Sequence, residues 1–179
     1  MSAEKASKTK LLLSGKPGCG KTTLIERIAG ELPVSPSGFI TKEIRVKGRR
    51  TGFEIRGFSG LTGVLAHVDT RSSFAVGNYG VDVSVLESVI ESEFGHQDRR
   101  LVIIDEIGKM ELYSGKFREV IVGLWKDDSP VIATIMQGRH EFCDRLKSDS
   151  HTQLLELTRS NRKDIMASAR NFIDLQSVE

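Results

Sequence analysis

Leu11-Leu12-Leu13-Ser14-Gly15-Lys16-Pro17-Gly18-Cys19-Gly20-Lys21-Thr22 runs from a short apolar segment through a glycine-rich octapeptide into a helical pattern. Gly15 to Thr22 fits G-x-x-x-x-G-K-[ST] without a mismatch, and a strand–turn–helix setting is what gives that pattern physical meaning. The three leucines read as a buried strand, ended by Ser14 and Gly15. After the loop Leu24, Ile25, Ile28 and Ala29 recur at helical spacing, and Gly30 and Pro33 stop the pattern. Glycines let the backbone curl so that successive N–H groups face phosphate oxygens. Lys21 adds a charge near the β and γ phosphates, Thr22 offers a hydroxyl to Mg2+, and the helix N-terminus contributes partial positive charge. The stretch implies a nucleoside-triphosphate cradle.

A second apolar run, Leu101-Val102-Ile103-Ile104, ends in Asp105 and Glu106. Such a run is what a parallel strand buried on both faces looks like, and two carboxylates at its tip need a partner. Mg2+ is that partner: Asp105 would hold the ion together with Thr22, and Glu106 would point toward the γ phosphate to orient or deprotonate water. The competing reading is that Glu106 caps the next turn or pairs with Lys109.

The remaining pattern is α/β. Ser84-x-x-Glu87 reads as a capping box before Val85, Leu86, Val89 and Ile90; Phe117, Val120, Ile121, Leu124 and Trp125 mark another helix. A strand over Val131 to Ile135, a helix over Glu141 to Lys147, a strand over Leu154 to Leu157 and a C-terminal helix through Ile165 to Ile173 follow. Alternation of this kind predicts a mainly parallel sheet with helices on both faces, and a ligand at the strands' carboxyl ends. Residues 38–68 break the alternation. Phe39 to Arg45, Gly52 to Arg56 and Val64 to Val68 read as an antiparallel β-hairpin insert, either a sheet extension or a lid, whose Arg45, Lys47, Arg49, Arg50 and Arg56 form a solvated surface.

With 179 residues, 39% hydrophobic and 28% charged, the chain can bury one core, so one domain over residues 1–179 is expected, with a flexible N-terminus at 1–9. A net charge of +2 argues against a protein built to neutralise a nucleic-acid backbone. Cys19 sits in the phosphate loop and Cys143 lies far off, so free thiols and a reducing compartment follow. No apolar stretch is long enough to span a bilayer and no signal-peptide core precedes Lys10, which gives the expectation of a cytoplasmic protein without membrane contact. His67, His96, His140 and His151 lack metal-ligand spacing.

Gly15 to Thr22, Gly38-Phe39-Ile40-Thr41-Lys42-Glu43-Ile44-Arg45, Val76-Gly77-Asn78-Tyr79 with Val81-Asp82, Asp105-Glu106-Ile107-Gly108-Lys109-Met110-Glu111-Leu112, and Thr158-Arg159-Ser160-Asn161-Arg162 together resemble the successive motifs of the small P-loop nucleoside-triphosphatases, thermophile enzymes and their cancer-related relative. The resemblance runs from about Lys10 into the C-terminal helix. It implies a P-loop NTPase fold and a Mg2+-dependent hydrolase splitting ATP, GTP, CTP and UTP to the diphosphate and phosphate with modest base selectivity; separately, a monomer is expected. The nucleotide contacts it implies are Gly15, Lys16, Pro17, Gly18, Cys19, Gly20, Lys21 and Thr22 in the loop, and Leu101, Val102, Ile103, Ile104, Asp105, Glu106, Ile107 and Gly108 around the acidic strand. Lys21, Glu106 and Arg162 are the expected catalytic residues, Arg162 ahead of Arg159 because the family pattern includes it. Thr22 and Asp105 are the expected metal ligands.

Two other classes compete. A regulatory GTPase is suggested by Asp105-x-x-Gly108 and by Asn161-Arg162-Lys163-Asp164, which is one substitution from a guanine-reading Asn-Lys-x-Asp. A nucleoside or nucleotide kinase would use the same loop, with the basic hairpin or Arg139, His140 and Arg145 holding an acceptor.

Overall fold

The computed structural model describes residues 8–95 and 101–176; His96 and residues 1–7 of the N-terminal segment lie outside the described residues. Among the described residues nine strands form one sheet: β1 (Lys10–Ser14), β2 (Ser37–Val46), β3 (Arg49–Gly57), β4 (Thr62–His67), β5 (Ala75–Val76), β6 (Tyr79–Val81), β7 (Val102–Ile107), β8 (Val131–Ile135) and β9 (Thr152–Glu156). Their spatial order is β5-β6-β4-β3-β2-β7-β8-β1-β9. The helices are α1 (Lys21–Glu31), α2 (Val83–Phe94), α3 (Gly115–Lys126), α4 (Glu141–Ser148) and α5 (Arg162–Gln176), with a short 3-10 turn at Glu111–Tyr113.

Alternation along the central strands divides the core. Leu12, Val102, Ile104, Val131 and Ala133 face a cluster completed by Leu86, Val89 and Ile90 of α2, Phe117, Ile121 and Leu124 of α3, and Cys143 and Leu146 of α4. Leu11, Leu13, Ile103 and Ile132 face the other side, where Leu24, Ile25 and Ile28 of α1 meet Ile165, Met166, Ala169 and Phe172 of α5. The helices therefore cover both faces, because strands apolar on both sides leave no face to water. Trp125 belongs to the first cluster, its indole N–H donating to Thr152 Oγ1 at 3.1 Å.

The sheet is mixed rather than mainly parallel. β2, β7, β8, β1 and β9 pair in parallel, while β3, β4, β6 and β5 continue from β2 in antiparallel pairings. The reason is the length of β2: Ser37 to Phe39 pair with β7 on one edge, and Phe39 to Val46 pair with β3 on the other. Residues 38–68 thus extend the sheet, and β5 and β6, too short to show in the sequence pattern, finish it. Glu93 of α2 ties this wing down, its carboxylate accepting the N–H groups of Gly38 at 3.0 Å and Ser59 at 2.8 Å.

α2 starts one turn-step away from the sequence expectation. Asp82, not Ser84, is the N-cap: its carboxylate accepts from the N–H groups of Ser84 and Val85 and also from the Ser84 hydroxyl, which outcompetes a serine cap. At the opposite end of the sheet from the phosphate loop, Lys10 is fully buried and its ammonium donates to Thr9 Oγ1 at 3.1 Å and to the carbonyls of Asp127 at 2.9 Å and Ser129 at 2.6 Å.

Candidate active site

The loop between β1 and α1 is shaped by close approaches that only glycine permits. A Cβ on Gly15 would stand 2.6 Å from the Leu157 carbonyl oxygen and 2.8 Å from Cys19 Sγ, and Gly20 has φ +100°. Lys16, Pro17 and Gly18 are exposed, whereas Cys19 is buried behind the loop. Lys21 Nζ donates to the Gly15 carbonyl at 3.0 Å, so the ammonium folds over the loop it belongs to.

Asp105 meets this loop from β7. It is 1% exposed, and its carboxylate accepts hydroxyl hydrogen bonds from Thr134 of β8 at 3.0 Å and Thr41 of β2 at 3.3 Å, with the Thr22 hydroxyl of α1 close enough to favour its charged form. Burial raises the Asp105 acid above the ordinary carboxylate range, and the hydroxyls of Thr22, Thr134 and Thr41 oppose that shift. Glu106 is half-buried; burial raises its acid too, Lys21 draws it down, and Asp105 raises it. A carboxylate pushed upward in this way is a better proton acceptor than a solvated one. The β7–β8 pairing runs to Ile104, breaks at Asp105 and Glu106, whose peptide is cis, and resumes at Ile107.

The sequence-derived contacts thus separate into two groups. Lys21, Thr22, Asp105 and Glu106 converge at the carboxyl ends of β1 and β7. Val102, Ile103, Ile104 and Ile107 are fully buried between the helical layers and Leu101 packs against the α1/α5 cluster, so these side chains support the acidic pair from within the core. Gly108 follows the strand, buried beside Glu106.

Arg162, the first residue of α5, places its Nε at 3.1 Å and Nη2 at 2.8 Å from the Cys19 carbonyl, so in this arrangement the guanidinium braces the loop between β1 and α1. Arg159 is exposed. The Asn161 amide is occupied locally, accepting from the Thr158 N–H and donating to the Glu156 carbonyl at 2.8 Å each. That use shapes the turn and leaves the side chain facing its own backbone, an arrangement unlike a base-reading asparagine.

Three residues escaped the sequence reading. Thr134 carried a usable signal, since one hydroxyl inside an otherwise apolar buried strand must find a partner. Thr41 and Glu111 stood inside the quoted motifs without a role, because only the sheet order and the turn bring them to Asp105 and Glu106.

A hydroxyl and an anionic carboxylate are hard oxygen donors, the type that suits Mg2+, which ordinarily takes one or two carboxylates and completes its shell with phosphate and water. The dry Asp105 carboxylate, whose protonation burial favours, is the kind of group a dication stabilises. The donor set therefore fits Mg2+. Among the described residues no helix is long and apolar enough to cross a membrane.

Comparison with known proteins gives the same direction. The family described as NTPase matches residues 10–169. A nucleoside-triphosphatase THEP1 from Thermotoga sp. (strain RQ2) is 40% identical over 159 residues, covering 88% of this chain and 91% of that one. The crystal structure of THEP1 from the hyperthermophile Aquifex aeolicus superposes with a TM-score of 0.80 at 36% identity, covering 89% of this chain and 95% of that chain. The solution structure of a human cancer-related nucleoside triphosphatase gives 0.79 at 29% identity, covering 95% and 98%.

Proposed function

The chain belongs to the NTPase family, and on that premise we propose a Mg2+-dependent hydrolase that cleaves the β–γ phosphoanhydride of ATP, GTP, CTP and UTP with modest base selectivity. Its action on nucleoside triphosphates as a hydrolase follows from the nucleoside-triphosphatases it matches over most of its length. We read the fold as a single P-loop NTPase domain over residues 1–179, acting as a cytoplasmic monomer.

The reading is carried by the meeting of α1 and β7: Thr22 and Lys21 at the start of the helix lie close enough to Asp105 and Glu106 at the strand end to favour their charged forms against burial. Backbone N–H groups of the loop from Gly15 to Thr22 bind the β and γ phosphate oxygens, and Lys21 exchanges the Gly15 carbonyl for them. Thr22 and Asp105 would hold Mg2+, which when bound neutralises charge on the β and γ oxygens. Thr41 and Thr134 orient the Asp105 carboxylate and oppose the effect of burial on its charge. Glu106 orients the attacking water and accepts its proton as the new P–O bond forms; the bond to the β–γ bridging oxygen breaks, and the diphosphate leaves. Arg162 acts on the loop, fixing the Cys19 carbonyl.

The test is phosphate release measured across the four nucleotides, with Mg2+ and with chelator, beside calorimetric binding. Glu106→Gln is expected to bind nucleotide as the parent does and to lose turnover. Full activity in that variant refutes the role of Glu106; label transferred to an added nucleoside or monophosphate marks a kinase; strong preference for GTP marks a switch.

A further inference from the structure

One buried acidic side chain is left unused by this mechanism. Glu111 opens the 3-10 turn after β7 and is 5% exposed. Its carboxyl group lies against the turn, where the backbone N–H groups of Gly108 and of Glu111 itself favour the charged form against burial. A methyl group on Gly108 would stand 3.1 Å from Glu111 Oε2 and 3.4 Å from both Cγ and Cδ of Glu106. The two glutamates thus crowd the same side of Gly108, in the space where any other residue would put its Cβ.

We infer that Glu111 is a positioning residue for Glu106: its buried carboxyl group backs the Gly108 turn and sets where the Glu106 side chain comes to rest. The inference rests on the reading of Glu106 as the group that orients water. Placement matters there because a general base must come within about 2.6–3.2 Å of the proton it takes, and a misplacement of about 1 Å lowers a rate about 10²-fold. Glu106 is also the first charged neighbour that Glu111 meets. An ionised Glu111 would push it away. Burial, with Glu106 and Asp105 adding to it, moves the Glu111 acid up to about 8, which favours the uncharged carboxyl near neutral pH. An amide of the same shape fills the same space.

The test compares steady-state phosphate release from ATP and GTP with calorimetric nucleotide affinity, both at neutral pH with Mg2+. Glu111→Ala is expected to lower kcat about tenfold or more, with the dissociation constant within about twofold of the parent. Glu111→Gln is expected to restore kcat to within about threefold, since it keeps the shape and one acceptor. Gly108→Ala leaves every charge in place and wedges a methyl between the two glutamates, so it should fall beside Glu111→Ala and serves in its place should that variant not fold. Parental kcat in Glu111→Ala or Gly108→Ala overturns the inference. So does a Glu111→Gln enzyme as slow as the alanine variant, because charge and not placement would then be at work. Absence of phosphate release from the parent protein would strike the hydrolase reading itself, a distinct result.

Discussion

Arg162→Ala distinguishes two tasks that an arginine beside a polyphosphate can perform. An arginine that reaches the transition state is worth about 10³ to 10⁵ in turnover. One that braces the loop acts on affinity. Here the guanidinium makes two hydrogen bonds to the Cys19 carbonyl, at 3.1 Å and 2.8 Å. Bonds from a charged donor contribute about 1.5–3 kcal/mol, and because Arg162 is exposed and its bonds only partly buried, the lower end, about 1.5 kcal/mol, applies. Removing the side chain lets the loop from Gly18 to Gly20 sample conformations that bind nothing, so the dissociation constant for ATP should rise about tenfold. The kcat should stay within about threefold, since Lys21, Asp105 and Glu106 are untouched. Lysine cannot present two N–H groups in a fork, so Arg162→Lys should recover little of the lost affinity. Calorimetry with Mg2+ and ATP gives the affinity, and single-turnover phosphate release gives the chemical step. A loss of about 10³ or more in the single-turnover rate with unchanged affinity would refute the reasoning and place the guanidinium on the transferring phosphoryl group.

Other predictions concern stability. Lys10→Met leaves the carbonyls of Asp127 and Ser129 without the ammonium that the fold gives them; a loss of about 2–3 kcal/mol is expected, lowering Tm by about 5–10 °C with kcat unchanged, as thermal unfolding and phosphate release would show. The acid of Glu111 lies at about 8 in the fold against 4.5 for a free side chain, so the folded state binds the extra proton. Its contribution is complete below about 4.5 and is lost as pH rises through about 8. Glu106 and Asp105 lie near enough to raise the Glu111 acid further. The unfolding free energy measured from pH 5 to 9 should fall less steeply for Glu111→Gln than for the parent, by an amount on the order of a few kcal/mol across the range; parallel curves would refute this.

Much of the site could be read in the sequence because two of its parts are local. The loop from Gly15 to Thr22 is defined by spacing within one turn, and Asp105 with Glu106 stands at the tip of a strand whose apolar run is self-evident. β8 matched its expected bounds, since five consecutive buried residues after Pro130 admit few alternatives. What was hidden depends on partners distant in the chain. Nothing near Arg162 reveals that its nearest acceptor is the carbonyl of Cys19, and Thr41 reaches Asp105 only because β2 lies beside β7. The parallel character of the sheet was overstated for a similar reason: hairpins signal their own pairing but not which edge they extend.

β1 behaves as a ruler. Its lower end is pinned by the Lys10 ammonium among the carbonyls of Asp127 and Ser129, and just past its upper end Gly15 fits under Leu157 with no room for a methyl. The five residues of the strand cover about 16 Å at about 3.3 Å each. One residue inserted between those anchors would force a choice between the plug and the cradle, and it would turn Leu11, Leu12 and Leu13 each toward the wrong layer. Length in this segment is therefore far less negotiable than composition: a swap of one aliphatic side chain for another should be absorbed, whereas an added or deleted link should not.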